Sequence, residues 1–180
     1  MQQIALLPLN LNNEEILNEI RNEVAAVFQA RLILSYIPFD VSLYLDAKRL
    51  QYDANNIMRD LYPLLPESAD KVVAIMDGDL FIPILTFIFG QAYVNDKLSL
   101  VSTYRLLPER YGLARDDNIF KARLVKEIIH ELGHNYGLRH CFQPLCVMRS
   151  STYVEDIDLK EHQFCPKCRA KIPHLSKLLI

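Results

Sequence analysis

An α/β fold built on a mixed sheet is what this chain predicts, and three observations carry the prediction. Short apolar, β-branched runs at Gln3 to Leu9, Arg31 to Pro38 and Lys71 to Asp77 read as buried strands. Between and after them come stretches whose apolar residues recur at helical spacing. The last quarter then gathers all four cysteines (Cys141, Cys146, Cys165 and Cys168) into loop-like sequence.

Taken in order, Gln3 to Leu9 gives a first strand broken by Pro8. Asn12 and Asn13 precede two glutamates, an N-cap followed by negative charge in a first helical turn. Ile16, Leu17, Ile20, Val24, Val27 and Phe28 then form one apolar stripe on a helix of about five turns. Arg31 to Pro38 follows as a second strand, and Asp53 to Tyr62 as a shorter helix stopped by Pro63. Lys71 to Asp77 is a compact strand closed by the turn pair Asp77 and Gly78. Thr86 to Tyr93 and Leu98 to Tyr104 predict a hairpin across Val94 to Lys97. Asp116, Asp117 and Asn118 open a long helix that runs to Gly137, and a last helix is expected from about Glu155, with Thr152 and Glu155 at capping-box spacing.

With 180 residues, 51% of them hydrophobic, the chain fits one domain, 1–180. Residues 1–137 supply the sheet and main helices, and 138–180 a C-terminal part. A net charge of -2 argues against a surface made to coat nucleic acid or an anionic membrane. The first residues lack the basic start, apolar region and cleavage site of a secretory signal, and LFIPILTFIFG is too short for a bilayer span and carries Pro83. That run reads as buried strand, and the expected setting is the cytoplasm. No cysteine precedes Cys141, which argues against latency through an N-terminal cysteine, and no propeptide is evident.

The chemistry lies in HELGHNYGLRHC, His130 to Cys141. His130 and His134 stand four apart, so on a helix both imidazoles can converge on one ion. Counting about 100° per residue from His130, His134 falls at about 40°, whereas Leu124, Val125, Ile128, Ile129 and Leu132 spread over about 120° to 260°. The histidines therefore face a cleft while the helix is anchored behind. Gly137 permits the left-handed backbone that ends the helix, after which His140 can return as a third nitrogen ligand. Three ligands leave a position for water, the pattern of a catalytic zinc. Glu131 is then placed to take that water's proton, which points to hydrolysis of an amide or similar acyl bond.

Cys141 and Cys146, with Cys165 and Cys168, make two pairs suited to a structural all-thiolate zinc. A disulfide pair, a redox CxxC, or a nucleic-acid-binding zinc knuckle flanked by Lys167, Arg169 and Lys171 are the alternatives. Adjacent residues of an extended segment point to opposite sides, so His140 and Cys141 are expected to serve different ions. Met148 reads as core or as the floor of the site. His162 and His174 read as surface or helix-end residues, and Tyr136 and Tyr153 as packing.

HExxHxxGxxHC, followed by CxxxxCxM and a distal CxxC, resembles the archaemetzincins, a branch of the metzincin metalloproteases. The match runs through His130, Glu131, His134, Gly137, His140, Cys141, Cys146, Met148, Cys165 and Cys168. The resemblance implies a metzincin-like domain with a twisted mixed sheet, an active-site helix and a zinc-braced C-terminal part. It also implies a catalytic zinc on His130, His134 and His140, Glu131 as general base and acid, and Met148 as the Met-turn residue beneath the metal. Metzincins bind an extended peptide along an antiparallel edge strand, for which Thr86 to Tyr93 is the candidate. Two departures stand out. Sixteen residues separate Met148 from Cys165, one fewer than the family form, and Ser150 occupies the position where some metzincins carry a tyrosine. The expected protein is a monomeric zinc peptidase holding two zinc ions, one catalytic and one structural, with a peptide or protein substrate and neither nucleic acid nor membrane as partner. The alternative is a zinc-stabilised binding module with little chemistry.

Overall fold

The computed structural model describes residues 1–176. Its main sheet has five strands in the order β2-β1-β5-β8-β7. Strands β1 (Gln3–Pro8), β2 (Arg31–Leu34), β5 (Lys71–Met76) and β8 (Leu98–Ser102) run parallel, and β7 (Gly90–Ala92) joins β8 antiparallel at one edge. A small second sheet holds β3 (Leu45–Asp46), β4 (Gln51–Asp53) and β6 (Leu80–Phe81). The mixed sheet predicted from the sequence is thus present, and the outer face of β7 is one of its edges.

Helices cover both faces of the main sheet, which is why its central strands are apolar on successive residues. Ile4, Leu6, Val73 and Ile75 pack on one side with α1 (Glu15–Phe28) and α3 (Asp117–Asn135). Ala5, Leu7, Val72 and Ala74 pack on the other with α2 (Ala54–Leu61). The alternation follows from the two-residue period of a strand. In α1 the buried residues are Ile16, Leu17, Ile20, Val24, Val27 and Phe28, the stripe that the spacing predicts.

Four local expectations differ from the structure. Asn12 does not cap α1; its backbone N and Nδ2 both donate to Asp77 Oδ2, at 2.7 and 2.6 Å, tying the loop after β1 to the end of β5. The second strand stops at Leu34, short of Pro38. The LFIPILTFIFG run is strand only at its two ends, Leu80–Phe81 and Gly90, the latter opening β7, and Ile84 between them is 85% exposed. Pro83 has no N–H for a ladder, and carbonyls there are met by side chains instead: Arg49 Nη2 donates to Leu85 O at 3.1 Å and Thr86 O at 2.9 Å. The last predicted helix is α4 (Val154–Leu159), and the carboxylate that reaches back is Asp156, whose Oδ2 accepts from Thr152 N at 2.8 Å and Tyr153 N at 3.0 Å. Short helices α5 (Pro166–Arg169) and α6 (Pro173–Ser176) complete the described chain. Among the described residues no helix is long and apolar enough to cross a membrane.

Candidate metal centres and the cleft between them and the sheet edge

The long helix α3 carries the first centre. Asp116 caps it, accepting from Asn118 N at 2.9 Å and Ile119 N at 3.0 Å. Its far end is fixed by Asn135, fully buried, whose Nδ2 donates to Tyr93 O at 3.0 Å and Leu98 O at 2.9 Å, locking the helix to the β7–β8 hairpin. Gly137 then adopts a φ of 86°, and Leu138 N donates to Gly133 O at 3.0 Å, closing the helix and turning the chain back.

That turn brings His140 beside His130 and His134, with ring centroids 5.3 and 5.0 Å away. One ligand nitrogen from each of the three lies within 4.8 Å of the others. His130 Nδ1 is 2.8 Å from Val147 O, and His134 Nδ1 is 2.8 Å from Leu138 O. A carbonyl only accepts, so both Nδ1 atoms carry the proton and both Nε2 atoms are bare. Those bare nitrogens face each other at 3.2 Å with no proton to share. A tetrahedral zinc with arms of about 2.0–2.1 Å requires a nitrogen separation of about 3.3 Å, so the donor set fits that ion. Burial holds all three imidazoles below their ordinary pKa, His130 the most, which keeps them in the neutral form that binds metal.

Glu131 sits beside them with its residue only 5% exposed. Burial, and then the neighbouring Glu127 carboxylate, pushes its pKa well above the usual carboxylate range. Its close neighbour across the cleft is Gly90 of β7, where a β-carbon would lie 2.8 Å from Glu131 Cγ and Oε1. Gly133, inside the helix, likewise gives room to the Met148 sulfur. Met148 is fully buried against α3, and its carbonyl accepts from Cys141 N at 2.9 Å.

The four cysteine sulfurs form a second group, each within 4.8 Å of the others, and all four thiols are free. Cys141 Sγ and Cys165 Sγ are 3.8 Å apart, the edge of a tetrahedron with arms of about 2.3 Å, as a zinc tetrathiolate has. Burial raises the thiols of Cys146 and Cys168; Cys165, although burial opposes it, is drawn down to about 7 by hydrogen bonds from Cys168 and the neighbouring thiols. His140 and Cys141 thus belong to separate groups.

A cavity of about 440 Å³ opens between the histidine group and the sheet edge, lined among others by Phe87, Phe89, Gly90, Glu127, Glu131, Ser150 and Ser151. Of the segment Thr86 to Tyr93, read from the sequence as one edge strand, only Gly90–Ala92 is strand; ahead of it Arg49 Nη2 takes the carbonyls of Leu85 and Thr86, and Ile88 N donates to Leu80 O of β6. Phe89 O accepts from Ser102 N, and Tyr93 N donates to Leu98 O. By the alternation of antiparallel pairing, Gly90 and Ala92 turn their backbone groups away from β8.

Sequence reading missed Gly90, Gly133 and the carbonyls of Val147 and Leu138. It also missed a buried ion pair, Lys160 Nζ to Glu127 Oε1 at 3.1 Å, behind the cavity. Glu127 was within reach: three residues before His130, it lies at about 60° on the same helix face. Gly90, a glycine in a strand, carried the general signal of a close backbone approach. His174, expected at the surface or a helix end, is half-buried, with Nε2 2.8 Å from Phe28 O and its ring against Tyr136, which itself stacks on Phe28.

The chain is similar to known proteins in both sequence and fold. The sequence model of peptidase family M54 matches residues 11–174. The archaemetzincin of Methanocaldococcus jannaschii is 35% identical over 172 residues, 96% of this chain and 93% of that protein. The crystal structure of the Archaeoglobus fulgidus archaemetzincin, complexed with malonate, superposes with a TM-score of 0.80 at 31% identity, covering 95% of this chain and all of that one. A zinc-dependent peptidase from Methanocorpusculum labreanum superposes with a TM-score of 0.83 at 30% identity, over 94% of this chain and 99% of that one. With the family's sequence matched along nearly the whole chain and its fold reproduced, this protein belongs to peptidase family M54, the archaemetzincin family of zinc metallopeptidases.

Proposed function

We propose that this chain hydrolyses peptide bonds at the histidine centre, with His130, His134 and His140 holding a catalytic zinc and Glu131 moving the proton. The observation that carries the reading is the pair of bare Nε2 atoms 3.2 Å apart, next to a buried glutamate and open to a cavity. When bound, zinc supplies the Lewis acidity that activates water near neutral pH and polarises a carbonyl. Glu131 takes a proton from the attacking water at its carboxylate and delivers it to the leaving amine nitrogen. Its raised pKa suits a group that must both accept and release a proton.

The substrate backbone lies along β7, pairing with the outward groups of Gly90 and Ala92 as an added strand. Met148 forms a rigid, apolar floor under the ligand helix. Cys141, Cys146, Cys165 and Cys168 hold the second, structural zinc, and their four thiolates leave no position for water. Cys141 follows His140 directly, so the second ion braces the third ligand of the first. The chain acts as a monomer in the cytoplasm.

A peptide-library digest with wild type beside Glu131→Ala tests this. Wild type cleaves, and the variant keeps its metal but loses cleavage. No cleavage by wild type across a broad library would favour a zinc-stabilised binding module instead.

A further inference from the structure

The wall of the cavity has polar groups that the peptidase reading does not use. Glu127 is 3% exposed, and no hydrogen bond reaches its carboxylate among the described residues; Oε1 has Lys160 Nζ at 3.1 Å, close enough for an ion pair but poorly directed for a hydrogen bond. The hydroxyl of Ser151 is also buried without a partner. Both residues line the cavity, together with the apolar rings of Phe87 and Phe89. Buried acceptors are ordinarily satisfied, so two of them at the wall of one cavity mark a place prepared for a donor.

Lys160 decides what kind of donor. Its side chain is fully buried and its Nζ also donates to Arg149 O at 3.2 Å, so it fixes Glu127 in place and balances its charge. A carboxylate offers about four lone-pair sites, and a paired one still accepts further hydrogen bonds. Glu127 stands four residues before Glu131 on α3, ~6 Å of helix rise away from it.

We infer that Glu127 and Ser151 form the base of a specificity pocket that takes a substrate side chain with an apolar stem and a hydrogen-bond-donating tip, amide or ammonium. This rests on the peptidase reading and adds to it the class of side chain preferred. Aliphatic side chains of equal length bring no donor to Glu127 or Ser151, and ionised acidic ones bring only further acceptors. A site built to bond a donor rejects the analogue that lacks it far more strongly than an apolar pocket rejects a size change.

The test uses the zinc-loaded protein and peptidyl hydroxamates that differ only in the side chain beside the chelating group: glutamine, lysine, norleucine or glutamate. Calorimetry should show glutamine or lysine binding about tenfold or more tighter than norleucine, as expected when a buried acceptor gains its partner, with glutamate weakest. Whichever of the two donors binds tighter identifies the tip as amide or ammonium. In Glu127→Met/Lys160→Met, which removes both charges together, norleucine should become the preferred side chain. Ser151→Ala, which leaves the ion pair intact, should narrow the preference severalfold, and it decides the matter if the double variant fails to retain zinc. Norleucine binding as tightly as the donors in wild type overturns the pocket. Matching peptides are digested in parallel: cleavage without side-chain preference overturns the pocket alone, whereas donor-selective binding without any cleavage supports the pocket and removes the peptidase reading.

Discussion

Gly90 and Glu131, forty-one residues apart in sequence, touch across the cleft: a β-carbon on Gly90 would lie 2.8 Å from both Cγ and Oε1 of the glutamate and 2.9 Å from Leu100 O. The backbone neighbour cannot yield, because Leu100 is in the sheet. The sheet edge and the Glu131 side chain are therefore set against each other by the absence of one methyl group.

Gly90→Ala should push Glu131 out of position while leaving the three histidines in place. Misplacing a reacting group by about 1 Å costs on the order of 10²-fold in rate. Peptide cleavage should fall by about that factor with zinc content unchanged. A variant of normal activity would show that β7 does not constrain Glu131.

Gly133→Ala acts at the opposite side of the same helix. The new methyl group overlaps the Met148 sulfur and lies 3.1 Å from Phe164 Cε1, in a fully packed core. Overpacking of this kind typically costs about 1–3 kcal/mol. Chemical denaturation measures that loss. Zinc affinity should fall with it, because Met148 follows Val147, whose carbonyl orients His130.

Cys141→Ser should weaken the cysteine site first. Its neighbour His140 loses a fixed backbone as a consequence, and such supporting contacts are typically worth 10–100-fold in metal affinity. Metal analysis during a chelator titration should show the structural zinc leaving before the catalytic one. Loss of the catalytic zinc alone would place Cys141 in the wrong group.

Asp156 links pH to the C-terminal part. Hydrogen bonds from the backbone of Tyr153 and Thr152 hold its carboxyl below the usual range. A depressed folded pKa means that the contribution to stability is present above the unfolded value of about 3.9 and disappears as pH falls through the lower folded value. Asp156→Ala should cost about 1 kcal/mol near neutral pH, the typical worth of a cap, and that difference should vanish in acid melts. Since α4 leads directly into Lys160, the variant should also loosen the Glu127 pair.

The local parts of this protein were legible in its residue order. The stripe of α1 and the phase of α3 follow from a 3.6-residue period, and both are reproduced residue by residue. The spacing of His130 and His134, and the stop at Gly137, are likewise short-range facts. Element ends were less legible. Asn12 looked like a cap because asparagine accepts from helix N–H groups, yet the charged Asp77, brought near by the parallel pairing of β1 and β5, takes both of its donors.

Residue order by itself therefore determined which side chains could act as ligands and how they stand on one helix, since helix geometry converts spacing into direction within a turn or two. Only the tertiary structure decided what surrounds them. The approach of Gly90 to Glu131, the Val147 and Leu138 carbonyls that fix the histidine tautomers, and the burial of Lys160 against Glu127 all join segments from different elements. Such contacts depend on how a twisted sheet and its helices pack as solids, and no periodicity within one segment encodes that.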